Sequence, residues 1–433
     1  MNATVTQFPS QPAKPAPSHR RVLIASLVGT GIEFYDFYIY ATAAALVFGQ
    51  LFFPATSVTA QQMLAFATLA VAFIARPVGA IFFGHFGDRI GRKSTLVASL
   101  LTMGLSTTLV AFLPTYAQAG WVAPLLLCIL RFGQGFGLGG EWGGAALLAV
   151  ENAPPGWRAR YGMFPQLGAP VGFIVANGLY LVLSLSFTAQ QFHDWVWRVP
   201  FALSALLVGV GLWIRLKLTE TPEFAKALEE GPPPGVPFAE LLAKHVGALA
   251  IGTFGAVACF VLYYFATAFA LSYGTKTLGY TMQQLLIAQL GAICFMALGI
   301  YLSAWFSDLH FDPRKVLAAG CVATIGAGLV MAPIMNAGLW GVFAYLSLSL
   351  VVMGFVYGPL GAWLPSLFPP RVRYTGVSMA FNVAGVIGGG ATPIVATKLA
   401  AEQGLVPVGL YVSASALLSQ VALIFARKVR ATA

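Results

Sequence analysis

Runs of about twenty apolar residues, separated by short loops that collect most of the charge, dominate this chain. A helix of that length, rising about 1.5 Å per residue, crosses the hydrocarbon core of a bilayer. Only 9% of the 433 residues are charged and 58% are hydrophobic, whereas a soluble domain carries roughly 25% charged residues. So few charges cannot cover a water-facing surface. The runs are continuous rather than alternating, so in lipid each segment must close its own backbone hydrogen bonds as a helix rather than join a barrel. The fold class expected is an all-α membrane protein.

Twelve such runs can be placed, near 22–49, 61–84, 95–113, 123–150, 161–187, 198–215, 246–272, 282–306, 315–335, 339–364, 375–399 and 407–426. An even count brings both termini to one side. Nineteen of the 24 Lys and Arg fall on that side, and an excess of basic residues marks the cytoplasmic face. Orientation accounts for the net charge of +10, so membrane lipid is an expected partner and nucleic acid is not. The polar, proline-containing stretch 1–20 lacks an apolar signal core and reads as a disordered cytoplasmic tail. The longest loop divides the runs six and six. This gives a six-helix bundle over 21–215, a cytoplasmic linker over 216–245, a second bundle over 246–427 and a short tail over 428–433. In the linker, Thr221, Pro222 and Glu223 suit the start of a short helix, which GPPPGVP at 231–237 stops.

The halves echo each other. PPGWRARYG at 154–162 follows the fourth run and PPRVRYTG at 369–376 the tenth; FGD at 86–88 follows the second and FSD at 306–308 the eighth. Matching loops after matching runs point to an internal duplication, the plan of a two-bundle transporter.

Five ionisable residues lie inside the first six runs: Glu33, Asp36, Arg76, Arg131 and Glu141. Charge at membrane depth is costly and marks function by default. Counting from Arg21 and Asp88, Glu33 and Arg76 sit about 18 Å from the cytoplasmic edge, with Glu141 about 15 Å deep. Asp36 and Arg131 form a second layer nearer the outer face. Glu33 and Asp36 share a helix face by their spacing, and a protonatable carboxylate is what proton coupling requires. Against this stands a structural reading in which the charges pair to hold the bundle together, strongest for Arg131 with Asp36. The stretch RPVGAIFFGHFGDRIGRK at 76–93 carries both a midplane arginine and a charged turn with Asp88, Arg89 and Arg92.

RFGQGFGLGGEWGG at 131–144 has a dinucleotide-like glycine spacing, but it lies inside an apolar run, where close helix packing is the better account. The four cysteines lie in apolar segments without metal or redox spacing and read as buried inert thiols. No cofactor, metal site or catalytic constellation is expected. Tyr263, Tyr264, Tyr357 and Asn382 offer polar tips in the second half, though each is more often packing than a ligand contact.

GHFGDRIGRK resembles the cytoplasmic loop signature of the major facilitator superfamily. GTGIEFYDFYIYATAAALVFGQLFFP, FIARPVGAIFFG, LRFGQGFGLGGEWGGAALLAVENAP and WVWRVPF together resemble its metabolite:proton symporter family, which includes permeases for shikimate, α-ketoglutarate, citrate and proline or betaine. GGEWGGAALL and RYTGVSMAFNVAGVIGGGATP lean toward the shikimate branch. The resemblance covers 20–427 and implies twelve helices in two six-helix bundles, the major facilitator fold. It also implies proton-driven uptake across a bacterial inner membrane. In dicarboxylate members the arginines of the RP and WxWR segments are associated with the anion, which points to Arg76 and Arg198. The chain departs from the pattern at 308–315, which lacks the second half's glycine turn, so gating there is expected to differ from the first half.

The expectation is a secondary transporter, not an enzyme, importing a small organic anion with protons by alternating access as a monomer. Substrate would be held by Arg76, Arg198, Tyr263, Tyr264, Tyr357 and Asn382. Glu33, Asp36, Glu141 and Arg131 would couple protons, and Asp88, Arg89, Arg92, Glu151, Arg158 and Arg160 would form the inner gate. Two alternatives stay open. One is proton-coupled uptake of a zwitterionic osmolyte such as betaine or proline, its ammonium on aromatic faces. The other is a membrane sensor that binds without translocating.

Overall fold

The computed structural model describes residues 19–430 except 56, 91, 217–236, 310, 370 and 371. The tail at 1–18 and the short helix expected to begin at Thr221 lie outside these residues. Among the described residues nine helices are long and apolar enough to cross a membrane. They are Val58–Phe83, Val122–Glu151, Arg158–Ser186, Val196–Trp213, Val246–Lys276, Met282–Leu309, Leu339–Leu367, Arg373–Gln403 and Leu405–Ala426. Three less apolar spans complete twelve. The first, His19–Ala43 with its continuation to Phe52, carries Glu33 and Asp36; the third, Arg92–Val110, is rich in Ser and Thr; the ninth, Pro313–Leu329, is interrupted at Val330. The sequence placed every span within a few residues. Within the linker stretch 216–245 the described residues include a short helix, Pro237–Lys244.

The spans form two bundles of six. In the first bundle, span one packs on five and span four on both two and three; in the second, eight packs on ten and twelve on seven and nine. The bundles meet along two seams, the fifth span against the eighth and the second against the eleventh. Between helices in lipid there is no hydrophobic drive, so association rests on close packing and hydrogen bonds. Spans two and four meet at the closest approach. A methyl placed on Gly79 would lie 1.9 Å from the carbonyl oxygen of Phe136, and one on Gly135 2.1 Å from that of Ala72. Gly135, one of the glycines at 131–144, therefore serves helix contact, as read from the sequence.

The halves repeat one further device. The first span passes through a π turn at Ala44–Phe48 and the seventh through another at Phe265–Phe269. Such a turn shifts the backbone ladder and leaves carbonyls to be satisfied from outside. A glutamine of the following span does so in each half. Gln62 Nε2 donates to the Ala44 oxygen at 3.0 Å, and Gln289 Nε2 donates to those of Ala266 and Thr267 at 2.9 and 2.7 Å.

Gly135→Ala should wedge spans two and four apart and destabilise by about 1–3 kcal/mol, lowering the thermal midpoint of the purified protein. Gly178→Ala, with nothing within 4 Å of the new methyl, should leave it unchanged or raised.

Candidate functional site

Between the bundles lies a small cavity. Glu33, Phe37 and Tyr38 of the first span, Arg76 of the second and Trp142 of the fourth line one side; Tyr263 and Tyr264 of the seventh, Tyr357 of the tenth, and Phe381 and Asn382 of the eleventh line the other. Its free volume is about 50 Å³, room for a few waters at roughly 10–15 Å³ each.

Two guanidinium groups are buried here with few hydrogen bonds. Arg76 is 8% exposed and Arg131 fully buried. Each stands 4.4 Å from the ring centroid of Phe37, on a residue adjacent to Asp36. Arg76 also lies 4.6 Å from the Phe73 ring and Arg131 3.8 Å from that of Tyr40. Aromatic faces are negative, and a desolvated cation on one gains about 2 kcal/mol. Arg131 donates to Gln134, which donates in turn to the backbone oxygen of Asp36 at 3.1 Å. Among the described residues the Nε of Arg76 and the Nε and Nη2 of Arg131 find no hydrogen-bond acceptor. Arg76 thus presents a donor-rich cation to the cavity.

Not every expected residue arrives there. Glu33 and Asp36 do not act on one surface. Glu33 lines the cavity, while Asp36 turns into the bundle, where its Oδ1 accepts from Ser204 Oγ at 2.6 Å. Three residues of helix turn a side chain by 300°, enough to split the pair between cavity and core. The ion pair anticipated between Asp36 and Arg131 is absent among the described residues; Gln134 and two aromatic rings take its place. Glu141 faces the third span rather than the cavity, accepting from Ser99 Oγ at 3.0 Å. The fourth span breaks at 139–140 and restarts at Glu141, so this carboxylate sits at a positive helix end. Arg198 is outside the cavity. Its Nη1 donates to the oxygens of Ala111 and Leu113 at 2.9 and 2.6 Å, capping the end of the third span.

Tyr263, Tyr264, Tyr357 and Asn382 all line the cavity, and Asn382 has a second attachment. Its Nδ2 donates at 2.7 Å to the oxygen of Gly139, and Tyr374 donates at 2.6 Å to that of Gly140. The break in the fourth span therefore supplies carbonyls to the eleventh. Trp142 stacks on Phe381 at 3.6 Å and donates to Gln166 at 3.0 Å. Trp142, Gln166 and Phe37 were not legible as site residues. They carry no charge, and only the seam between bundles gives them a role.

On the side of the termini, the two halves are latched. The helix Arg158–Ser186 has no cap from its own chain neighbours. Asp308 of the other bundle caps it instead, accepting from the backbone nitrogens of Ala159 and Arg160 at 2.9 and 2.8 Å and from Arg160 Nε at 3.1 Å. Arg373 approaches Glu151 at 3.9 Å across the other seam. Arg158 opens its helix and is exposed. The side chains of Asp88, Arg89 and Arg92 lie outside the described residues. Despite its missing glycines, the 308–315 loop turns well: Asp312 caps the next helix by accepting from Arg314 N at 2.8 Å, with Pro313 in the first turn. Of the cysteines, Cys259 lines the cavity and Cys294 is exposed, so not all four are buried.

The chain matches the profile of the Major Facilitator Superfamily over residues 20–393. It is 46% identical to the inner membrane metabolite transport protein YhjE of Escherichia coli (strain K12), over 99% of each chain. Identity is 38% with the shikimate transporter of that organism, covering 88% of this chain and 87% of the relative. With its proline/betaine transporter it is 31%, covering 88% and 77%. The solved structure of the proton:xylose symporter XylE bound to 6-bromo-6-deoxy-D-glucose shares the fold, with a TM-score of 0.75 at 18% identity over 95% of both chains. By this match of sequence over its whole length and of fold, the chain belongs to the Major Facilitator Superfamily of membrane transporters.

Proposed function

We propose that this transporter imports a small organic acid together with protons, by alternating access, across a bacterial inner membrane with both termini in the cytoplasm. The observation that carries this reading is Arg76, a buried guanidinium facing the cavity with an unsatisfied Nε. A guanidinium matches a carboxylate bidentately, and a substrate anion would relieve its poor solvation. Shikimate, proline and betaine, named in two of the relatives, each bear a carboxylate. The tyrosine hydroxyls of 263, 264 and 357 would take up the substrate's polar groups, and Asn382 would link occupancy to the closed inner seam.

Proton coupling is assigned to Glu33, in the cavity beside the anion site, and to Asp36, buried one turn on. Protonation of Glu33 removes a negative charge from beside an incoming anion, which ties substrate binding to proton uptake. Arg131 and Glu141 bracket this layer from the fourth span. The Asp308 cap and the Glu151–Arg373 approach would be the cytoplasmic gate, joined by Asp88, Arg89 and Arg92, with 216–245 as the tether between halves. Opening inward would break the cap; opening outward would part the far ends of the same seams.

A zwitterionic osmolyte is the second reading. It is favoured by Glu33 sharing the cavity with Arg76 and by the aromatic faces of Trp142 and Tyr263, which suit a quaternary ammonium.

In proteoliposomes with a pH gradient, Arg76→Ala should reduce uptake of shikimate about tenfold or more, the loss of a charged hydrogen-bonded contact worth about 1.5–3 kcal/mol. Uptake near the unsubstituted rate would sink the anchor assignment. The double substitution Glu33→Gln with Asp36→Asn should abolish accumulation against a gradient but leave exchange of substrate across the bilayer. Gradient-driven accumulation that survives it would reject these carboxylates as couplers. Thermal-shift measurements should show stabilisation by hydroxylated organic acids, and stabilisation by betaine alone would select the second reading.

A further inference from the structure

A second, smaller cavity lies in the seam between the bundles. Tyr38 and Thr42 of the first span, Asn177 of the fifth, Thr267 of the seventh and Gln289 of the eighth wall it. Counted along their helices to the ends away from the termini, Thr42, Asn177, Thr267 and Gln289 lie about 10–15 Å deep and Tyr38 about 21 Å. Its free volume is about 10 Å³, the room one water needs.

Two atoms on residues in its wall are unpartnered: Asn177 Nδ2 and Gln289 Oε1, each on a residue 1% exposed. The Gln289 amide is fixed in direction, because its Nε2 donates to the π-turn oxygens of Ala266 and Thr267. Asn177 accepts the Thr42 hydroxyl on Oδ1 at 2.6 Å. Turning the Asn177 amide over would exchange an orphan donor for an orphan acceptor, so one polar atom stays unsatisfied either way. Buried polar groups are nearly always paired, and a single water can satisfy both, since it donates and accepts.

Tyr38 is the partition, lining this cavity and the larger one. Its ring stacks on Tyr263 at 5.2 Å and meets Phe173 edge-on at 5.6 Å. On the larger cavity's side stand Glu33, Arg76, Tyr264 and Tyr357. Tyr38 is thus the residue common to a one-water pocket and the chamber that holds Glu33.

We propose that the small cavity binds one water, and that this water and the Tyr38 hydroxyl form the route by which a proton reaches Glu33 from the outer half of the seam. The inference rests on the proton-coupled reading above. A proton arriving at the water passes to the Tyr38 oxygen as the Tyr38 O–H proton leaves, through the waters for which the larger cavity has room, for a carboxylate oxygen of Glu33. One O–H bond forms and one breaks at each relay oxygen, so water and tyrosine end neutral and Glu33 gains the proton. Fixing the water on groups from both bundles would confine the route to the state in which this seam is closed.

The test is time-resolved infrared spectroscopy of the full chain in proteoliposome films after a step to lower pH. The Glu33 carboxylic-acid band is identified by its loss in Glu33→Gln. Tyr38→Phe, which keeps the ring and its stack, should slow the rise of the band about tenfold or more without changing its end point. Asn177→Leu, which fills the water's space, should do the same, and Asn177→Ser, which leaves room for the water, should recover most of the rate. A band that rises at the unsubstituted rate in both Tyr38→Phe and Asn177→Leu overturns the relay and leaves proton coupling standing. If no such band titrates in the unsubstituted protein, the coupling assignment to Glu33 fails and the relay fails with it.

Discussion

The cost of holding charge away from water governs this structure. Arg76 and Arg131 share one phenyl ring, Phe37, each 4.4 Å from its centroid, so the two cations are at most about 9 Å apart. At an effective dielectric near 20 their repulsion is at least roughly 2 kcal/mol. The quadrupole of Phe37 is negative on both faces and returns an amount of that order to each cation. The ring therefore lets two like charges share one core without a carboxylate between them. It also leaves Glu33 facing the cavity and Asp36 turned toward the sixth span, where Ser204 holds it. A bundle that tied its arginines up in ion pairs would have less to offer an anion.

A second consequence concerns how the halves close. Most of the described polar contacts across the seams use backbone groups rather than pairs of charges. Gly139 and Gly140 lend carbonyls to Asn382 and Tyr374, and Asp308 receives the first amides of a helix that belongs to the other bundle. Backbone groups at helix breaks and starts are already unsatisfied, so bonding them across a seam costs little in the state where the seam is open to water. Such contacts are individually modest and readily exchanged for solvent.

Much of this was legible in the sequence. The span count, the duplication and the depth of Glu33, Arg76 and Arg131 follow from run lengths and a fixed rise per residue. Direction around the helix was harder. Glu33 and Asp36 have neighbouring positions on a helical wheel, yet one lines the cavity and the other faces Ser204, because the boundary between cavity and core passes between them. Glu141 looked like part of the midplane cluster because a sequence does not announce that a glycine pair will break a span and make it a helix start. Arg198 carried the expectation of its motif but spends its donors on the end of the third span. At 308–315 the absence of glycine pointed to gating unlike that of the first half; what the fold adds there is Asp308 as a cap across the seam and Asp312 with Pro313 at the start of the next helix.

What the sequence determined by itself was therefore everything set by local rules: helices, because lipid leaves the backbone no other partner; twelve of them, because of their length; and buried charge, because its depth can be counted. What only the tertiary structure decided was which groups share a space. The pairing of Phe37 with two arginines, the use of Asp308 as another bundle's cap, and the meeting of Asn177 with Gln289 in one cavity wall join residues from 39 to 149 positions apart. Their energy depends on distances that run lengths and periodicity do not encode.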